Sequence, residues 1–290
     1  MTEPRGIRIR HPLECMPRRP ERKPVWSPPL RNRGASRPPT LDVPERHGVH
    51  LAADALLGAV RVNFRFASWH GVSAAFSEKA KRAQFFESPH EAYGYRRDEI
   101  DPTRLDLQYQ PIALRWTTRA GTRLEIVFDW AVEMQDGSIV VGEDKASEEY
   151  FDDPRLSERL DFAEQYLETC GASLERRVAG GLPTRLARRA VKDAYDARRT
   201  AFHESTARRV RTMIRNVGGT ARLADVLAAI GNHPDRSLDV ARAMMHHRLI
   251  SMPIASMPMP DTPVTIPVPA TKGRLRAFLA AHVPVGIAET

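Results

Sequence analysis

Residues 126–147, "IVFDWAVEMQDGSIVVGEDKAS", decide how the middle of this chain folds. Two apolar, β-branched runs, 126–134 and 138–141, flank Gln135-Asp136-Gly137, a pattern that predicts a β-hairpin. Yet Asp129 falls inside the first run, and the second leads into Glu143-Asp144-Lys145. Carboxylates are poor strand formers and costly to bury, so their placement calls for a reason. Loop length decides whether they converge. A two-residue loop at Asp136-Gly137 sets Asp129 against Asp144 and turns Glu143 to the other face. A three-residue loop, with Gly137 in the left-handed conformation, sets Asp129 across from Glu143 and leaves Lys145 on their face. Two facing carboxylates repel unless something positive sits between them. A hard divalent cation with oxygen ligands meets that need, and the Lys145 ammonium adds to it. The bland alternative is a solvated strand end with scattered charge.

The rest of the composition narrows the field. The chain has 290 residues, room for one large domain or two modest ones, with 42% hydrophobic residues and a formal charge of +8. No apolar run approaches the ~20 residues that span a bilayer, and residues 1–23 lack the apolar core of a signal peptide. Two lone cysteines, Cys15 and Cys170, make neither a disulfide framework nor a zinc site, which fits a reducing cytoplasm. Positive charge is concentrated in two places. Residues 1–50 hold eleven Arg/Lys against five acids and ten of the 23 prolines, and residues 1–54 read as a disordered basic arm. Residues 185–215 hold ten Arg/Lys against three acids, a block that favours polyanions such as double-stranded DNA.

Between these lies an α/β domain, residues 55–181. Ser88-Pro89-His90-Glu91 starts a helix, with Pro89 at its first position. "LDLQYQPIALRWTT" alternates as a strand, Gly121 turns it, and the hairpin follows. "DPRLSERLDFAEQYLETCG" is an amphipathic helix ended by Gly171, and "ASLERRVAGG" a last strand. Residues 182–270 give a basic helical stretch, a short helix closed by Gly231, a helix starting on Ser237, and a Pro-interrupted strand pair. That order predicts a winged-helix-like unit, with residues 271–290 as a tail. On the helix from Ser237, the residues Arg236, Arg242 and His246 point away from the apolar face formed by Leu238, Ala241, Met245 and Leu249, and are candidates to meet DNA. Solvation is the equal alternative.

Asp, a turn, then Glu-x-Lys is the metal-site arrangement of restriction-endonuclease-like nucleases. "FFESPHEAYGY", "YQPIALRW", "FDWAV" and "GEDKAS" also follow in the order and rough spacing of the TnsA family, to which residues 80–180 bear a resemblance. That family comprises the PD-(D/E)xK endonuclease subunits of heteromeric transposases. The resemblance implies a restriction-endonuclease-like core and a metal-dependent DNA endonuclease. By position, Glu91 resembles the helix metal ligand, Asp129 the central ligand, Glu143 the variable ligand, Lys145 the catalytic lysine and Gln110 the recurrent glutamine. Asp129, Glu143, Glu91 and the carbonyl of Asp144 would hold Mg²⁺ or Mn²⁺. Phe128 stands where the family has proline or threonine, and Ala146 where it often has proline. Glu91 also completes a capping box with Ser88. The implied task is to cut the 5′ strands at transposon ends beside a DDE transposase and an AAA+ regulator, in a bacterial cytoplasm. A restriction or repair nuclease of the same fold, or a non-catalytic DNA-binding regulator, are the other readings.

Overall fold

The computed structural model describes residues 47–61, 73–118, 120–231 and 233–284. The basic arm expected at residues 1–54 therefore falls outside the description up to residue 46, and its last part is not an arm. Residues 47–53 form a strand, β1 (His47–Ala53), which pairs antiparallel with a later one. A short hairpin follows, β2 (Ser73–Ser77) and β3 (Arg82–Phe86), and then α1 (Pro89–Ile100). Ser88 caps α1, its hydroxyl accepting the Glu91 N–H at 3.2 Å, with Pro89 in the first turn as the sequence predicts.

The stretch that reads as one strand after α1 is two. β4 (Arg104–Tyr109) ends at Gln110-Pro111, and β5 (Ile112–Thr117) begins beyond it. Pro111 has no N–H for a ladder, and Gln110 takes a left-handed conformation at φ 50°. The partner strand breaks at the same level, into β6 (Arg123–Val127) and β7 (Trp130–Met134). Tyr109 pairs with Trp130 on one side of the break, and Ala113 with Val127 on the other. One extra residue on the Gln110 side makes this a bulge, and bulges bend strands. The bend sends the two halves into different sheets. β5 joins β1 and β6, whereas β4 and β7 join β8 (Ile139–Lys145) and β9 (Ala172–Val178) in the order β4-β7-β8-β9. α2 (Pro154–Thr169), capped by Asp153, links β8 to the parallel β9.

β4 is buried along its whole length, not on alternate residues. One face carries Leu107 and Tyr109 into a cluster with Phe86, Tyr95, Trp130 and Val132. On the other side Asp106 meets Lys272 and Arg276. Those cations come from the segment read as a tail, which instead contains the last helix and seats Leu275 and Leu279 in the core.

The carboxyl half contains α3 (Arg185–Ala197), α4 (Glu204–Asn216), β10 (Thr220–Arg222), α5 (Leu223–Ile230), α6 (Pro234–His246), β11 (Pro263–Thr265) and α7 (Arg274–Ala281). β10 and β11 pair antiparallel, and Ser251 bridges to Thr265. The described residues belong to one compact unit, and the core of this half includes Ile100 from the end of α1 together with Val210, Val226, Met244 and Val264. The architecture is thus mixed α/β, with several sheets and seven α-helices among the described residues. None of those helices is long and apolar enough to cross a membrane.

Two expectations about α6 are corrected. It begins at Pro234, not Ser237, whose hydroxyl donates to the Gly231 carbonyl. Arg242 and His246 do not face outward; both are buried. α6 packs on α1 and α3 as well as α5, and His246 sits between the Glu99 carbonyl at 3.1 Å and the Glu78 carboxylate at 3.2 Å. Arg236 alone of the three is exposed.

Candidate active site

The hairpin closes through the three-residue loop. The Met134 N–H donates to the Ser138 carbonyl at 2.9 Å, and Gly137 lies at φ 84°. Asp136 holds the turn by accepting both the N–H and hydroxyl of Ser138, at 2.9 and 2.7 Å. The register runs Glu133–Ile139, Val132–Val140, Ala131–Val141 and Trp130–Gly142. The ladder ends at that last pair; Asp129 lies one residue beyond it on one strand and Glu143 one residue beyond it on the other.

Asp129 is not in mid-strand, as the sequence suggested. It is the first residue after the bend, between β6 and β7. Its N–H donates to the Gly142 carbonyl at 3.0 Å, and its carbonyl accepts the Gln110 N–H at 2.8 Å. The carboxylate accepts the Asp144 N–H at 2.7 Å, so the side chain continues the hydrogen bonding where β7 stops. At this bend the carboxylate faces a cleft.

That cleft has a volume of about 540 Å³, and Asp129, Glu143, Lys145 and Glu91 all line it. Lys145 is ion-paired with Glu143 Oε1. The other oxygen of Glu143, Oε2, is buried without a hydrogen-bond partner. Glu91, 5% exposed, approaches from the first turn of α1. Its carboxylate accepts the Glu87 N–H at 3.0 Å. The reciprocal half of a capping box would use the Ser88 N–H; the bond here is displaced by one residue.

The electrostatics are those of crowded acids. Burial pushes the Asp129 carboxyl well above its ordinary value, and the charges of Glu143 and Glu91 add to the rise. Burial also raises Glu91 to about 7, against the hydrogen bonds from Glu87 and Ser88, and it raises Glu143 despite the opposing Lys145. Burial works against the charge on Lys145, but Glu143 outweighs it and the ammonium is held above its ordinary value. Lys145 sits among three carboxylates whose pKa values burial raises, and Arg61 and Arg159 line the same cleft.

No protein-family model matches the chain, and no curated protein is significantly similar to it. The reading of the cleft therefore rests on its own geometry.

Two residues of the expected set stand elsewhere. Gln110 is buried in the bulge behind Asp129, its Oε1 unpartnered, and does not line the cleft. The Asp144 carboxylate is bound by Arg177, so only the Asp144 backbone remains for the cleft. Arg61, His90, Tyr150 and Arg159 line the rim; sequence reasoning had no means to gather them. Among the described residues, no three His, Cys, Asp or Glu side chains already form a coordination cluster. The donor set suits Mg²⁺, which is typically held through one or two carboxylates, with waters and substrate oxygens completing the shell. The unpartnered Glu143 oxygen beside Asp129 is the group such an ion would satisfy.

Proposed function

We propose that this protein is a metal-dependent DNA endonuclease whose cleft is formed by Asp129, Glu143, Lys145 and Glu91. The observation that carries the reading is that the bulge, the end of the hairpin and the first turn of α1 bring these four side chains to one cleft. The β4-β7-β8-β9 sheet with α1 and α2 supports a restriction-endonuclease-like core. The order α4, β10, α5, α6, β11 supports a winged-helix-like unit.

Asp129 and Glu143 would hold Mg²⁺, with Glu91 and the Asp144 carbonyl as further donors. When bound, such an ion polarises a phosphoryl oxygen and lowers the pKa of a coordinated water. The remaining work falls to the chain itself. Lys145, fully charged and aimed by Glu143, can orient the attacking water and offset negative charge as it develops on the phosphate. Arg159, exposed on α2 at the rim, and Arg61, paired with Glu87 at 2.8 Å, can hold neighbouring phosphates. By its sequence resemblance, the chain would cut 5′ strands at transposon ends beside a DDE transposase and an AAA+ regulator. A restriction or repair nuclease of the same fold would use the same cleft without those partners.

The test is a Mg²⁺-dependent nicking assay on duplex DNA, with and without a DDE transposase. The proposal expects cleavage that Asp129→Ala and Lys145→Ala each abolish while fold and DNA binding persist. Cleavage retained by either variant overturns it.

A further inference from the structure

β8 outruns β7. Their ladder stops at the Trp130–Gly142 pair, so Glu143, Asp144 and Lys145 project beyond it, paired as strand only to β9. On the β7 side the ladder gives way to the bond from the Asp144 N–H to the Asp129 carboxylate, so this strand end has a backbone ladder on the β9 side and relies on side-chain contacts on the other. The two cleft-facing side chains on it therefore depend on whatever grips this overhang.

The grip is on the opposite face. Asp144 points there by alternation, and Arg177, its partner in the parallel register, holds it with a two-pronged contact. Arg177 Nε donates to Oδ1 at 2.6 Å and Nη2 to Oδ2 at 2.8 Å, a charge-assisted fork. Arg177 is itself fixed. Nη1 reaches both carboxylate oxygens of the fully buried Asp98 at 3.1 Å, and Nη2 reaches the Tyr109 hydroxyl at 3.1 Å. Its guanidinium lies 4.1 Å from the Trp130 ring centroid. Glycine makes room for this arrangement. A Cβ on Gly94 of α1 would lie 2.2 Å from Arg177 Nη2, and one on Gly142 would lie 2.0 Å from the Trp130 ring. On the cleft side, the N–H of the same Asp144 holds the Asp129 carboxylate at 2.7 Å.

We propose that Arg177 is a positioning residue: through Asp144 it pins the overhang of β8, and so fixes Asp129, Glu143 and Lys145 relative to one another. The proposal rests on reading the cleft as a metal-dependent site. If Arg177 served only to neutralise Asp98 and Asp144, lysine would replace it, because lysine keeps the charge but loses the planar fork.

The test uses the full-length protein and two readouts. Mn²⁺ binding is followed by electron paramagnetic resonance, and exchange of the Asp144 amide hydrogen by NMR, in wild type, Arg177→Lys and Asp144→Asn. The proposal expects both folded variants to bind Mn²⁺ about ten- to a hundredfold more weakly, with the Asp144 amide exchanging about tenfold faster or more. Wild-type Mn²⁺ affinity together with wild-type exchange in Arg177→Lys overturns it. Should Arg177→Lys fail to fold, Asp144→Asn, close in shape, decides by the same outcomes. Wild-type protein that binds no Mn²⁺ defeats the nuclease reading, and the Asp144 exchange then decides the positioning claim alone.

Discussion

At Glu91 the requirements of the cleft oppose those of the fold, and the conflict is measurable. Its carboxyl is buried, with the charges of Asp144 and Glu87 nearby, and is raised from 4.5 to about 7. A carboxyl with a folded pKa above its unfolded one binds more protons folded than unfolded between those values. Stability is then undiminished below about pH 4.5, falls as pH rises through the window, and is lowest above about pH 7. At 1.36 kcal/mol per pH unit, the full loss is about 3 kcal/mol. Glu91→Gln keeps an oxygen to accept the Glu87 N–H but removes the charge. It should stabilise the protein by about 2.5 kcal/mol more at pH 8 than at pH 5, where the folded wild-type carboxyl is largely neutral. Urea unfolding followed by tryptophan fluorescence at the two pH values measures this, with Trp130 a buried reporter. Saturating Mg²⁺ should shrink the wild-type pH dependence, since a bound cation takes the proton's place. Equal effects of Glu91→Gln at both pH values would mean that burial does not raise the Glu91 carboxyl.

Three further outcomes follow from other parts of the molecule. Gly142→Ala should destabilise by about 2 kcal/mol or more through the collision with Trp130, seen as a lowered thermal midpoint. Deleting residues 271–290 exposes the seats of Leu275 and Leu279 and strips the buried Glu133 of the Gly273 and Leu275 N–H groups, at 3.0–3.1 Å, that it accepts. A loss of about 3 kcal/mol or more is expected in urea unfolding. Arg208, Arg211 and Arg215 line a groove of about 410 Å³ on α4 beside Phe202 and Leu249. If that groove meets DNA phosphates, Arg211→Gln and Arg215→Gln should each reduce the slope of log affinity against log salt by about 1.

What the sequence revealed depended on how local the cause was. The Gln135-Asp136-Gly137 loop, the Ser88 cap and the helix ended by Gly171 each follow from a few adjacent residues, and all three appear as expected. The odd-length loop carried real consequence, because it set Glu143 and Lys145 on the side of Asp129. The break at Gln110-Pro111 was visible only as a proline. That it would pair with a break at Phe128-Asp129, and turn Asp129 out of the strand, depended on a strand register some twenty residues away. Arg177 was less legible still. "LERRV" reads only as part of a last short strand until its parallel pairing with β8 places one arginine under the site. His246 and Arg242 misled for a related reason: an apolar stripe predicts one buried face of a helix, but α6 is packed from several sides.

The proposed nuclease chemistry requires a divalent-cation site between Asp129 and Glu143. Crystals soaked in Mn²⁺ and measured at the manganese absorption edge test that most directly. The expected result is an anomalous peak in the cleft, bonded to Asp129 and to the Glu143 oxygen that otherwise has no partner, and lost in Asp129→Ala. No peak there at saturating Mn²⁺, or one unchanged in Asp129→Ala, would contradict it.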